Sequence, residues 1–344
     1  MKCALCKIND ANKKNTHYLT DSIIRSCLNE EGLNVREKGF YFDMSSNNGP
    51  FVQFNYQRNV SLEKLENSLG RESTDLEIEK AKQIPFSVDF VFCSQCESLF
   101  CEIEEDFTTN ILPHFRNKNL SNIENLAFKE VKTIRLFFYI QIWRTAICEK
   151  LFKISYETNE KLRSLIYGYR LAQEEDIKEY PLSITYLETS TIEEFTENCV
   201  MIMNHSNPNF IIMNDFVIQF YELADNITYF DFYGLNEITD YKSFVNKDED
   251  SFIIKIIHNE DRKNIFSRYI KEEQVKRTLE FLNNLIIDIW SKSFGVYPNS
   301  EIIAEFINII VGNDEFNILQ YSEENIKKHT FEFITQKIRE NGIQ

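Results

Sequence analysis

Cys3-Ala4-Leu5-Cys6 and Cys93-Ser94-Gln95-Cys96-Glu97 decide how this chain is put together. Each CxxC segment places two thiolates on one tight turn. Together the pairs supply the four sulfurs of a tetrahedral site of the kind Zn²⁺ prefers. A metal there would staple residue 3 to residue 96 and make the intervening segment part of one unit. Two other readings of these residues stay open. They are four unrelated buried thiols, or a redox dithiol, though neither pair follows a strand in a βαβ setting.

The remaining cysteines, Cys27, Cys101, Cys148 and Cys199, have no CxxC partner and read as buried small hydrophobes. Met1-Lys2-Cys3 leads directly into the first pair with no apolar leader, so the expectation is a reducing, cytoplasmic setting. The strongest apolar run, Leu136–Ile140 extended by Ile142-Trp143, is bracketed by Arg135 and Arg144. It falls short of the roughly 20 residues a membrane span needs and reads as a buried core helix, with no membrane partner.

The chain has 344 residues, 43% of them apolar and 14% aromatic, which is ample for a packed core. Its net charge of −16 is uneven: residues 1–60 carry eight Lys and Arg against six Asp and Glu. The rest is acidic. A protein that coats nucleic acid non-specifically is normally basic. Any DNA or RNA contact is therefore expected at the N-terminal region, and the acidic C-terminal body is the candidate surface for a protein partner.

Between the CxxC pairs, Thr20 reads as an N-cap for a helix ending near Gly32. Gly39–Met44 and Phe51–Tyr56 read as strands around the turn cluster Ser45–Pro50. Two short helices follow, from Ser61 to Gly70 and, behind the capping box Thr74-x-x-Glu77, to about Lys82. Phe86–Phe92 reads as a strand running into Cys93, and a helix then extends to about Asn110, before Pro113.

Further on, helices are expected over 122–152 and 157–171. Strands are expected at 182–187, 210–213, 216–221, 227–232 and 252–257, with Asn214-Asp215 as a hairpin turn. Helices return over 261–293, 300–311 and 323–340. The expected fold is α+β: an N-terminal zinc unit with an inserted hairpin (1–118) packed on a mainly helical body with a small antiparallel sheet (119–344). That body divides into a helical core (122–171), a strand-rich part (180–258) and C-terminal helices (260–341).

The order of these features resembles the zinc-containing HNH, or ββα-metal, endonucleases built on a treble-clef knuckle. More narrowly, it resembles bacterial HNH-like proteins with a Ser-His-Ile-Ile-Pro signature after the first CxxC, here Thr16-His17-Tyr18-Leu19-Thr20. The same group carries a CxxCE motif running into an acidic helix, here Cys93–Glu97 followed by Glu102, Glu104 and Glu105. A helix like Phe138–Thr145 and a downstream Glu160-Lys161-Leu162-Arg163 complete the resemblance, which spans residues 1–170.

The resemblance implies a metal-dependent nuclease, in bacteria often part of a defence or mobile-element system. His17 would be the general base on water, with Mg²⁺ or Mn²⁺ stabilising the phosphoryl group. Glu97 takes the place of a metal-facing polar residue, and Glu97 and Glu104 share a helical face. Thr16 stands where active enzymes have an acidic or His ligand. Asp21 substitutes for it only if the local turn is helical. Lys13, Lys14 and Asn15 form the adjacent phosphate-binding patch.

Blander readings stand beside these. His17 serves to brace the knuckle, Glu97 complements the helix dipole, and Glu102–Asp106 form a solvated face. His114, His205, His258 and His329 lack ligand spacing. Trp143 belongs to the core, and Arg144 pairs with a buried carboxylate. There is no Walker A loop, GxGxxG, GxSxG or HExxH. The alternative function is a non-catalytic, zinc-stabilised sensor or protein-interaction module.

Overall fold

The computed structural model describes residues 1–24, 40–43, 53–56, 61–69, 71–84, 86–116, 118–189, 199–203, 207–247, 250–312, 318, 321 and 323–340. The remainder of the Thr20–Gly32 helix, Cys27, His205, the Ser45–Pro50 turn and Gly70 lie outside these residues.

Near the N-terminus, β1 (Thr16–His17) pairs antiparallel with β4 (Ser87–Val88), and α1 (Asp21–Ile24) follows β1 directly. The insertion between them carries β2 (Phe40–Asp43), β3 (Gln53–Tyr56), α2 (Leu62–Leu69) and α3 (Asp75–Ala81). The expected capping box closes α3: the Thr74 amide donates to Glu77 at 2.9 Å and the Glu77 amide to Thr74 Oγ1 at 3.3 Å. Then come α4 (Ser94–Asn110), α5 (Pro113–Arg116), β5 (Asn125–Phe128), α6 (Val131–Cys148), α7 (Tyr156–Tyr167) and α8 (Glu174–Ile177).

The strand-rich part is β6 (Leu182–Leu187), β7 (Cys199–Met203), β8 (Asn209–Met213), β9 (Phe216–Phe220), β10 (Val245–Asn246) and β11 (Phe252–Ile257). The chain ends in α9 (Asn259–Tyr269), a π-helical segment (Ile270–Val275), α10 (Lys276–Phe294), α11 (Ser300–Val311) and α12 (Glu323–Glu340). Gly295, at φ +69°, stops α10 in the left-handed conformation that glycine adopts without a steric penalty.

The sheet is larger than the sequence suggested. Among the described residues nine strands run in the order β3-β2-β7-β8-β9-β6-β11-β5, with β10 also on β6. Most pairs are antiparallel, but β2–β7 and β6–β11 are parallel. The inserted hairpin β2–β3 therefore extends the body's sheet. Alternate residues of β7–β9 face opposite cores. Val200, Ile211 and Ile218 join the cluster that contains α4 and α6. Met201, Ile212 and Val217 join a second cluster with Ile265, Phe266 and Tyr269 of α9. Helices α10–α12 enclose a third core. Among the described residues no helix is long and apolar enough to cross a membrane.

Three expectations fail, and one strand was not expected at all. The helix placed over 122–152 starts only at Val131, because Asn125–Phe128 pairs with Phe252–Lys255 at the sheet edge. The strand placed at 227–232 is irregular, and its aromatic residues pack instead: Phe230 and Phe232 both lie against Phe210. The Phe86–Phe92 strand shrinks to two residues, because Phe86 and Phe90 both take positive φ. Strand β7 was not anticipated, since Cys199–Met203 has no turn signal before it.

Candidate metal centre and its surroundings

The first pair of cysteines sits on a turn closed by the Lys7 amide donating to the Cys3 carbonyl at 2.9 Å, with Lys7 at φ +58°. The second pair opens α4: Cys93 is its N-cap and Cys96 lies in its first turn. Asn12 Oδ1 accepts from the Ser94 amide at 3.0 Å and ties the first loop to that helix start. All four cysteines are buried, and their sulfurs lie within 4.8 Å of one another. Cys6 and Cys93 Sγ are 3.9 Å apart. Tetrahedral Zn–S bonds of about 2.3 Å put sulfurs roughly 3.8 Å apart, so the cluster fits a structural zinc.

Burial pushes the Cys3 and Cys96 thiols above their ordinary range. Burial pushes Cys6 the same way, but backbone amides at Asn9 and Ile8 outweigh it and bring Cys6 down to about 7. Four thiolates this close repel one another unless a metal compensates them.

The segments that carry the family resemblance converge on this cluster. In α7, Arg163 donates to the Leu5 carbonyl at 2.9 Å, and Glu160 receives Lys7 at 2.6 Å. Those two bonds brace the first turn. In α6, Trp143 is buried between Phe92 and Phe100 and donates to Asn159 at 3.1 Å.

Arg144, also buried, binds Glu104 and donates to the His17 carbonyl at 3.1 Å, with its guanidinium over the Phe100 ring. Thr20 Oγ1 donates to Glu104 at 2.7 Å and accepts from Gln141 at 2.8 Å. Strand β1, α4 and α6 are thus locked by one buried polar network. Arg144 pairs with an acidic-helix carboxylate, as its sequence setting suggested.

His17 lies opposite Ser87 in the ribbon, and its Nε2 is 3.5 Å from Asp21 Oδ1. Asp21 is helical, as required for that contact. Thr16 is buried, and its side chain is one of the groups that favour the ionised Glu97 carboxyl. Glu97 Oε2 is buried without a hydrogen-bond partner. Burial is the largest influence on Glu97 and raises its pKa, Glu104 adds to this, and Arg144, Lys13 and Thr16 oppose it.

The fold therefore lets Glu104, Lys13 and Thr16 act on the Glu97 carboxyl and sets His17 with Asp21. It commits Glu104 Oε1 to Arg144 and Thr20. Lys14 lies over the Phe90 ring, and the Asn15 amide donates to Asp89 at 2.7 Å. Thr20 does not cap α1 through its hydroxyl, which is spent on Glu104.

Of the unpaired cysteines, Cys199 is buried, Cys148 is half-buried and Cys101 is exposed. Cys101 thus departs from the buried reading because it falls on the outer face of α4. Sequence reasoning missed the bracing roles of Gln141 and Arg163. Their only signal was polarity inside apolar or motif-bearing helices. No protein-family model matches the chain, and no curated protein or solved structure matches it.

Proposed function

We infer that the protein is an HNH-like, metal-dependent nuclease whose reacting residues are held by a Cys₄ zinc centre. The knuckle, two-stranded ribbon and ligand-bearing helix follow the order of a treble clef. The observation that carries the reading is Glu97 Oε2, buried and unpartnered in the first turn of α4, with Thr16, the neighbour of His17 in sequence, acting on the same carboxyl. A buried carboxylate oxygen without a donor suits a hard divalent cation such as Mg²⁺ or Mn²⁺. Bound there, the ion would neutralise charge on a phosphoryl oxygen and the leaving group.

The chain's own residues do the rest. His17 takes a proton from the attacking water as general base. Asp21 beside Nε2 orients the ring and makes Nδ1 the basic nitrogen. Arg144 fixes the His17 main chain, and Lys13, Lys14 and Asn15, next to His17 in sequence, are the proposed phosphate contacts.

The test is cleavage of DNA and RNA by zinc-loaded protein with Mg²⁺ or Mn²⁺. His17→Ala should abolish it; equal cleavage by both proteins sinks the assignment. A second reading, a non-catalytic zinc-stabilised interaction module, is favoured by Thr16 standing in place of an acidic ligand and by the net charge of −16. It expects one zinc per chain and no second metal site, which metal titration distinguishes.

A further inference from the structure

Beyond the His17–Ser87 and Thr16–Val88 pairs, the two arms of the ribbon stay side by side. The Asn15 amide donates to Asp89, and the Phe90 amide donates to the Lys13 carbonyl at 2.6 Å. This contact holds Phe90 at φ +59°, a conformation bulky residues rarely adopt. Phe86 is held in the same way at φ +52°, but its ring is 8% exposed and packs edge-on against Tyr18. Core burial accounts for Phe86. It does not account for Phe90, a residue 47% exposed.

The surroundings of Phe90 are those of a polyanion site. The Lys14 ammonium lies 5.2 Å from the ring centroid. Lys13 is the next residue along, and Asp89, the acidic neighbour, accepts the Asn15 amide. A polar groove of about 380 Å³ opens at the preceding residue, Asp89, lined also by Asn15, Lys82, Gln83 and Ser87; Phe90 itself does not line it. Lys82 also holds Glu79. Phe90 lies three residues along the chain from Ser87, the ribbon partner of His17.

We propose that Phe90 is a stacking platform for an unpaired base, so that the His17 site takes single-stranded nucleic acid. Lys13, Lys14 and Lys82 contact the flanking phosphates. A duplex keeps its bases stacked on each other and gains nothing from an exposed ring. A single strand offers the π-face of any base, so recognition is insensitive to sequence and sensitive to salt. The substrate class rests on the nuclease reading; the platform itself can be tested without it.

Fluorescence anisotropy with labelled oligo-dT and oligo-U of roughly 12 nucleotides, and a duplex of the same length, separates the two. His17→Ala protein is used so that the probe survives. Adding Phe90→Ala should weaken single-strand binding about tenfold, leave duplex binding unchanged, and be rescued by Phe90→Trp. Unchanged single-strand binding, or equal loss on duplex, overturns the platform.

Cleavage by otherwise wild-type Phe90→Ala supplies the second arm. A raised KM with kcat retained supports the proposal, and an unchanged KM overturns it while leaving the nuclease reading intact. Phe90-dependent binding by a protein that never cleaves keeps the platform and removes the nuclease.

Discussion

The cysteine end and the C-terminal helices are held together by opposite means. Around the cysteines, polar groups reach far along the chain: Gln141 binds Thr20, Arg144 binds His17, and Arg163 binds Leu5. The strands there are two residues long and form no sheet worth the name. In α10–α12 the core is apolar, built on Leu282, Ile286, Trp290, Phe306 and Phe333. Its buried hydroxyls bond within their own helix, Thr278 to the Gln274 carbonyl and Thr330 to the Ile326 carbonyl. A cross-linked polar unit depends on every partner being in place, because each buried polar group left unpaired is costly. An apolar helical core loses stability in increments.

Removing the metal should break this comparison most sharply. Structural zinc contributes about 10–16 kcal/mol in small metal-folded peptides. Cys93→Ser, or exhaustive chelation, should abolish one bound zinc per chain by elemental analysis. Hydrogen exchange should then open residues 1–24 and 86–116 and leave α10–α12 protected. Burial raises the Cys3 and Cys96 thiols. Below those values zinc must displace protons, so retention should fall as pH falls and rise as pH rises.

Glu104→Gln comes next. It strands Arg144, whose side chain is only 2% exposed, so a cost of about 3–5 kcal/mol is expected in chemical denaturation. Arg144→Met should cost less, because the Glu104 side chain, at 21% exposure, still reaches water. Equal costs would mean that the network is not limited by the buried cation.

In the other region, Leu282→Ala should cost about 2–5 kcal/mol, with zinc content unchanged. Zinc loss in that variant would show the two regions to be one cooperative unit. The smallest effect belongs to Asn299→Ala. Asn299 caps α11 by accepting the Ile302 amide at 2.9 Å, and losing it should cost about 1 kcal/mol.

Much of this was legible in advance. The CxxC spacing set the metal cluster, because two thiols on one turn have few other uses at four buried positions. The Thr74–Glu77 box and the turn at Asn214-Asp215 are local events with local signals. The Asn125–Phe128 strand was not legible: it is a strand only because Phe252–Lys255 lies beside it. The aromatic run at 227–232 misled for the converse reason. Its rings pack against Phe210 and α9, and that burial mimics a strand pattern without a ladder.

The same division holds at the candidate site. Residue type and spacing by themselves determined the four thiol ligands, the helix beginning inside the second CxxC and the mildly basic N-terminal end. Only the tertiary structure decided that Glu104 belongs to Arg144, that Thr16 meets Glu97, and that the Phe90 ring faces outward. Thiol pairs act through neighbours in sequence, so spacing announces them. A buried guanidinium acts through whatever the fold places within about 3 Å, and several carboxylates on one helix are equal candidates until it does.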